Sequence, residues 1–239
     1  MKILAFDSSS SALSVAILDN GKILAETTLN LQKNHSTTLM TTIDFLLNQI
    51  EMQPSDLTRI AVAQGPGSYT GLRLAATVAK TLAYSLNLEL VGVSSLYALA
   101  ANVKTDKIVV PILDARRGNA YAAAYQGSEA LIVDQYVKFD EFLSDLAIKA
   151  IGFDVIFTGE TANFRETILA AGFDEAQINN DEFTNLPSAI ESAKSAEQLK
   201  PVDVHSFAPN YLKKVEAEEK WLEKNGENQE DSREYVQRL

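Results

Sequence analysis

The stretch of this chain best suited to chemistry is Gly65-Pro-Gly-Ser-Tyr-Thr-Gly-Leu-Arg73. Gly65 and Gly67 permit positive φ or a close backbone approach, and Pro66 fixes φ between them. Ser68 and Thr70 can cap the helix that follows. A glycine-rich turn feeding a helix N-terminus aims N–H groups and the positive end of the helix dipole at one point, which is anion-binding chemistry. The same residues equally make a sharp strand-to-helix connection that binds nothing. No Gly-Lys-Ser/Thr follows at the spacing of a P-loop. Other chemistries are thinly provided for. The chain has no cysteine, so it has no thiolate nucleophile, thiolate metal site or disulfide framework. Its two histidines, His35 and His205, are too few for a multi-histidine metal site. His35 reads as a polar residue near a helix start rather than a ligand, and His205 falls in a loop with no role assigned.

The glycine turn needs a strand before it and a helix after it. Ile60 to Ala63 is short, apolar and partly β-branched, as a buried strand requires. The helix after the turn carries an apolar stripe, Leu72, Ala75, Ala76, Ala79, Leu82, Ala83 and Leu86, at helical spacing. Its small residues let another helix approach closely, inside the fold or from a second chain. Ahead of this unit, strands are expected at Lys2–Phe6, Leu13–Leu18 and Lys22–Leu31. Asn20-Gly21 makes the hairpin between the second and third, and a helix from Ser36, its expected N-cap, runs to Ile50. A strand at Leu88–Val93 and a short helix at Leu96–Ala101 follow. The second half repeats this order. Lys107-Ile-Val-Val-Pro-Ile-Leu-Asp114 parallels Lys2-Ile-Leu-Ala-Phe-Asp7, each an apolar strand ending in Asp before a polar turn. The order predicts an internal duplication: one lobe over residues 1–103, a second over 104–215, and a charged helix or tail over 216–239. Mixed sheets flanked by helices make this an α/β chain.

At 239 residues the chain is long enough for one large domain or two smaller ones, each with its own core. Net charge is −11, which argues against broad nucleic-acid binding without a partner to supply positive surface. Asp7 interrupts the N-terminal apolar run, and no segment is long enough to span a membrane, so a cytoplasmic location is expected.

Three segments together, Ile3-Leu-Ala-Phe-Asp-Ser-Ser9, Gly65–Arg73 and Asp114-Ala-Arg-Arg-Gly-Asn-Ala-Tyr121, resemble the TsaB (YeaZ) family. The similarity covers about the first 125 residues well and the rest loosely, and the Gly-Pro-Gly-Ser-Tyr-Thr-Gly-Leu-Arg run is its most specific part. The resemblance implies two actin-like lobes of the sugar-kinase/Hsp70/actin type, related to ribonuclease H. It implies a role in forming N6-threonylcarbamoyladenosine at adenosine 37 of tRNAs. The partners implied are a catalytic paralogue of the TsaD type and an ATPase of the TsaE type. TsaD transfers the threonylcarbamoyl group; the TsaB subunit is needed but is regarded as non-catalytic. A homodimer is the other pairing expected, with tRNA met only through the complex.

The residues bear on "non-catalytic". TsaD-like proteins follow the corresponding strand with Asn-His-x-x-x-His, whose histidines bind a metal; here Ser95 and Leu99 fall in those places, and a leucine cannot ligate. In actin-like ATPases an early Asp and a second Asp turn flank the phosphates, places held here by Asp7 and Asp114. The second turn, Ala115-Arg116-Arg117-Gly118, is not glycine-rich, and Thr158-Gly159-Glu160 lacks the paired glycines that make room for adenosine. Asp7, Ser8, Gly67, Ser68, Asp114, Arg116 and Arg117 are weak candidates for holding a nucleotide. The competing expectation is that Asp114 and the arginines pair with each other or with other carboxylates across the cleft, and no cofactor or metal is expected. The family resemblance places the partner interface on the first-lobe helices, with Leu39, Ile43, Leu47, Leu72, Ala75, Ala76, Ala79 and Ala83 as candidates. Some of these must face their own sheet. The rival readings are an actin-like ATPase or kinase using Asp7 and Asp114 and, with less support, a glycoprotease-like peptidase.

Overall fold

The apolar run Lys2–Asp7 forms β1, which pairs antiparallel with β2 (Leu13–Asp19) and parallel with β4 (Arg59–Gly65). A computed structural model describes residues 1–30 and 35–213 of the chain. β3 (Lys22–Leu29) and β5 (Glu89–Ser94) complete a five-stranded sheet in the order β3-β2-β1-β4-β5. Asn20 and Gly21, with φ of 47° and 77°, make the left-handed turn that the Asn-Gly pair predicts.

The second sheet repeats the plan. β6 (Ile108–Asp114) pairs antiparallel with β7 (Asn119–Gln126) and parallel with β9 (Val155–Gly159), and β8 (Glu129–Lys138) lies outside β7. Helix α1 (His35–Gln49) follows β3 as α4 (Phe139–Lys149) follows β8. Helix α2 (Tyr69–Leu86) follows β4 as α5 (Arg165–Ala170) follows β9. The duplication expected from the matching Asp-terminated strands is therefore present in the topology, and the two lobes are actin-like.

Alternation along the central strands explains why both faces are covered. On β1, Leu4 and Phe6 point into a core shared with α1 and α2, while Ile3 and Ala5 point into a second core on the opposite face. That second core is closed by α6 (Ala189–Ala196), which contributes Ala189, Ala193 and Ala196. On β6, Val110 and Ile112 face α4 and α5, while Val109 and Leu113 face α3 (Ser95–Ala101).

The lobes therefore interlock, and this corrects two boundaries. Helix α3, assigned by sequence to the first lobe, packs Leu96, Leu99 and Ala100 on the second sheet. Residues from about 188 to 210, assigned to the second lobe, return to the first. Val202 bridges Leu90 at the edge of β5, Asn210 N donates to Gln64 O, and Phe207 is buried in the first core. Arg59, 5% exposed, fixes this return by donating to the Glu89 carboxylate and to the carbonyls of Ala196 and Leu199. Two smaller expectations also shift. Helix α1 starts at His35, so Ser36 lies within the helix and is not its N-cap. The third strand ends at Leu29. Leu31 and the charged segment 216–239 lie outside the described residues. No helix among the described residues is long and apolar enough to cross a membrane.

Candidate functional site

The glycine turn and the β1–β2 connection meet at the floor of the cleft between the lobes. Ser68 is the N-cap of α2, its hydroxyl accepting from Gly71 N at 3.3 Å. Ser68 N donates to Ser9 O at 2.6 Å, and Ser8 Oγ donates to Gly71 O at 2.9 Å. The glycines make this contact possible. A Cβ on Gly71 would stand 1.9 Å from Ser8 O, and one on Gly67, whose φ is +152°, would stand 2.4 Å from Ser9 O. On the other side, a Cβ on Gly65 would meet Asn210 O at 2.7 Å. Each glycine is thus used by a close approach of the chain to itself. Of the two sequence readings of this turn, the connection between strand and helix is the one this geometry supports.

Asp7 is fully buried at the end of β1. Its Oδ1 accepts from Ser9 N at 2.7 Å, and Oδ2 has no partner among the described residues. Burial raises its pKa above the usual carboxylate range, opposed by the Ser9 hydrogen bonds and by His35 nearby. His35 Nε2 lies 3.1 Å from Ser10 O, and since a carbonyl only accepts, that nitrogen carries the proton. The folded chain holds the Asp7 proton to higher pH than the unfolded chain does. Its contribution to stability is therefore fullest below the usual carboxylate range and is lost as pH rises through the folded pKa. Asp7→Asn removes that slope. In urea titrations the variant should be at least as stable as the parent near neutral pH, with the advantage vanishing toward about pH 4. A parent that instead gains stability over the variant as pH rises would show that the carboxylate is a stabilised anion.

The matching turn of the second lobe is built differently from expectation. Asp114 Oδ1 accepts from Arg116 N at 2.7 Å and Oδ2 from Asn163 Nδ2 at 2.8 Å. Among the described residues the two guanidinium groups pair neither with Asp114 nor with another carboxylate. The reason is backbone geometry: Arg116, Arg117 and Gly118 all have positive φ, 68°, 56° and 74°. This curls the backbone N–H onto the carboxylate and leaves both arginine side chains exposed. Asp114 N donates to Glu160 Oε2 at 2.7 Å, and burial raises the pKa of Glu160. In the Thr158-Gly159-Glu160 turn, Gly159 N and Thr158 Oγ1 both donate to Asn185 Oδ1, each at 2.9 Å. A Cβ on Gly159 would meet Ile112 O at 2.4 Å, so this glycine serves strand packing.

Two cavities open in the cleft. An inner one of about 340 Å³ is lined by Ser9, Ser10, Ser95, Leu99, Glu160 and Asn185 among others, with no Lys, Arg or His among the described residues of its wall. An outer one of about 530 Å³ is lined by Gly67, Ser68, Tyr69, Asp114, Arg116 and Lys213 among others. Asp7 and Ser8 line neither, and Arg117 lines a separate cavity beyond its turn. Of the nucleotide candidates, the outer cavity thus gathers Gly67, Ser68, Asp114 and Arg116. The residues do not fit a nucleotide in the manner of the actin-like ATPases. The glycine turn is closed on Ser8 and Ser9, and the turn that would border adenosine is held by Asn185. Ser95 and Leu99 do reach the cleft, but among the described residues no three His, Cys, Asp or Glu side chains are placed to hold a metal.

The eight interface candidates on α1 and α2 are all buried in the single chain. Leu39, Ile43, Leu47, Leu72, Ala75, Ala76, Ala79 and Ala83 are each 6% exposed or less. The small-residue stripe therefore seats α2 on its own sheet and is not a surface. What these helices expose are the flanks: Met40 and Phe45 on α1, 45% and 57% exposed, and the half-buried Leu74, Val78 and Leu82 on α2. Three further residues that hold the turns around the cleft, Asn163, Asn185 and Asn210, are not foreseen from the sequence. Each comes from a distant segment, and no local pattern marks it.

Comparison with known proteins fits this architecture. A family profile described as TsaD, tRNA N6-adenosine threonylcarbamoyltransferase, matches residues 22–221. The tRNA threonylcarbamoyladenosine biosynthesis protein TsaB of Bacillus subtilis (strain 168) is 38% identical over 228 residues, covering 93% of this chain and 99% of that protein. The protein of the same name from Escherichia coli (strain K12) is 32% identical over 132 residues, 54% of this chain and 57% of that one. A crystal structure of an uncharacterized protein with similarity to peptidase YEAZ from Pseudomonas aeruginosa superposes with a TM-score of 0.75 at 24% identity, covering 89% of this chain and 99% of that chain. That likeness establishes the fold.

Proposed function

Since this chain belongs to the TsaB (YeaZ) family and serves in threonylcarbamoyladenosine biosynthesis, we propose that it is the non-catalytic subunit of the tRNA-modifying complex. In this reading it holds and activates a TsaD-like paralogue that performs the transfer to adenosine 37, with a TsaE-like ATPase as the third component. The observation that carries the reading is the closed cleft floor. Ser68 N and the Gly71 carbonyl are bound to Ser9 and Ser8, and Leu99 stands where the paralogue has a metal-binding histidine. Among the described residues, the glycine turn of such a site offers no phosphate cradle, and no ligand set for a metal is present.

The partner surface in this proposal is the exposed flank of α1 and α2, not their buried stripe. Met40, Phe45, Leu74, Val78 and Leu82 are apolar side chains on two adjacent helices, a pattern suited to helix-on-helix packing. The same flank would serve self-pairing in the absence of the paralogue. Phe45→Glu tests it. The side chain is 57% exposed, so folding should be unaffected. Affinity for a TsaD-like partner, read by calorimetry or light scattering, should fall at least about tenfold, as for an aromatic anchor at an interface. Unchanged affinity for both Phe45→Glu and Val78→Arg would place the interface elsewhere.

A further inference from the structure

The chain is acidic, with a net charge of −11, and several of its cations are paired with carboxylates: Arg59 with Glu89, Lys104 with Glu191, Lys149 with Asp145, Arg165 with Glu175. Of the cations that make no such pair among the described residues, three meet at one place. Arg73, Arg116 and Lys213 make no ion pair among the described residues, and all three lie on or beside the outer cavity of the cleft. Each lobe brings tyrosines to the same rim. On the first, the Arg73 guanidinium lies 4.4 Å from the ring centroid of Tyr69, which packs 5.1 Å from Tyr211. On the second, Lys213 Nζ lies 5.1 Å from the ring of Tyr136, which packs 5.6 Å from Tyr121. Tyr69, Tyr121, Arg116 and Lys213 line one continuous cavity of about 530 Å³.

Two carboxylates, Asp114 and Glu160, line the same cavity, so the rim sets three cations against two carboxylates. Both Asp114 oxygens accept hydrogen bonds from within the lobe, and Glu160 accepts from Asp114 N. Tyr69 and Tyr211 are 45% and 41% exposed, so both rings reach solvent at the rim. Cations interleaved with exposed aromatic rings match a phosphodiester strand with unstacked bases: the cations meet phosphates, and the rings stack on bases whatever their identity. The geometry points to this rim as a direct contact surface for a single-stranded segment of RNA, formed jointly by the two lobes. The inference rests on the tRNA-modification reading and extends it, since there the tRNA reaches this chain only through its partners.

The test is fluorescence anisotropy of a labelled, unmodified tRNA transcript with the chain assembled on a TsaD-like partner, across a range of salt. The triple variant Arg73→Gln, Arg116→Gln, Lys213→Gln should weaken binding at least about tenfold at low salt. It should also make the log affinity–log salt slope shallower by about 2, at about 0.7 for each phosphate no longer neutralised. Tyr69→Ala should weaken binding at least about fivefold with the slope unchanged, because stacking carries no counterion release. A control with Lys22, Lys149 and Lys200 changed to Gln should bind as the parent does. Melting curves establish that each variant is folded. Equal RNA affinity and slope for the rim variant and the control would overturn the inference. So would a rim variant that keeps RNA affinity but loses its protein partner, which would make the rim a protein-docking surface. Competition separates two sources of the same chemistry: displacement of tRNA by unlabelled RNA but not by excess ATP supports it, while displacement by ATP alone at equal phosphate would make the rim a free-nucleotide site. Binding is read without modification chemistry, so its loss is distinct from a failure of the chain to support product formation.

Discussion

Ala79→Arg is expected to unfold the first lobe, even though a stripe of alanines on a helix looks like a docking seam. Ala79 has no exposed surface and sits among the side chains that join α1 and α2 to the first sheet. An arginine there must either carry an unpaired charge into the core or push α2 off the sheet. A buried charge without a partner costs about 3–5 kcal/mol, and overpacking adds about 1–3 more. The sum is comparable with the whole stability of a typical domain, about 5–15 kcal/mol. The variant should be recovered unfolded or aggregated, with helical circular dichroism largely lost. If it folds and fails only to bind partners, the stripe is an interface and the placement of α2 described above is wrong. Phe45→Glu on the neighbouring flank should show the reverse pattern, a normal melt with weakened pairing.

The second large effect is expected at Gly71, where two forces oppose each other. Gly71 lies in the first turn of α2, and helix propensity alone favours alanine there by about 1 kcal/mol. Against this, the added Cβ would stand 1.9 Å from Ser8 O. The obstacle is backbone and cannot rotate away, so either the β1–β2 connection or the start of α2 must move by more than an ångström. A shift of that size breaks the Ser8–Gly71 and Ser68–Ser9 hydrogen bonds, each worth about 1 kcal/mol net. Gly71→Ala should therefore destabilise the chain by about 2–3 kcal/mol in urea titrations. Ser85→Ala, exposed on the same helix, should be neutral or slightly stabilising. A Gly71→Ala variant as stable as the parent would mean that the turn is open and available to a ligand.

These two positions show what the sequence could and could not reveal. Strand and helix order was readable because it rests on local periodicity: Lys2–Asp7 and Ile108–Asp114 are apolar runs ended by Asp, and Asn20-Gly21 admits few conformations. The glycine turn was readable as a turn, but its occupant was not, because Ser8 and Ser9 come from the β1–β2 connection some sixty residues earlier. The alanine stripe on α2 has the same pattern whether it meets its own sheet or another chain, so pattern alone left Ala79 ambiguous. The return of α6 and residues up to Asn210 to the first sheet depends on Arg59, whose partners lie 137 and 140 residues away. The cleft rim was the least legible part. Arg73, Arg116 and Lys213 are ordinary residues in three separate segments and become a group only when the lobes close on each other.

The measurement that bears most directly on the proposed role is a reconstitution. A TsaD-like enzyme, a TsaE-like ATPase, a source of threonylcarbamoyl adenylate and unmodified tRNA are mixed with and without this chain, and threonylcarbamoyladenosine is scored. Product is expected only when the chain is present, and undiminished product with Asp7→Asn or Asp114→Asn, as the proposed non-catalytic role requires. Equal product without the chain, or hydrolysis of ATP by the chain alone that either substitution abolishes, would contradict a non-catalytic role.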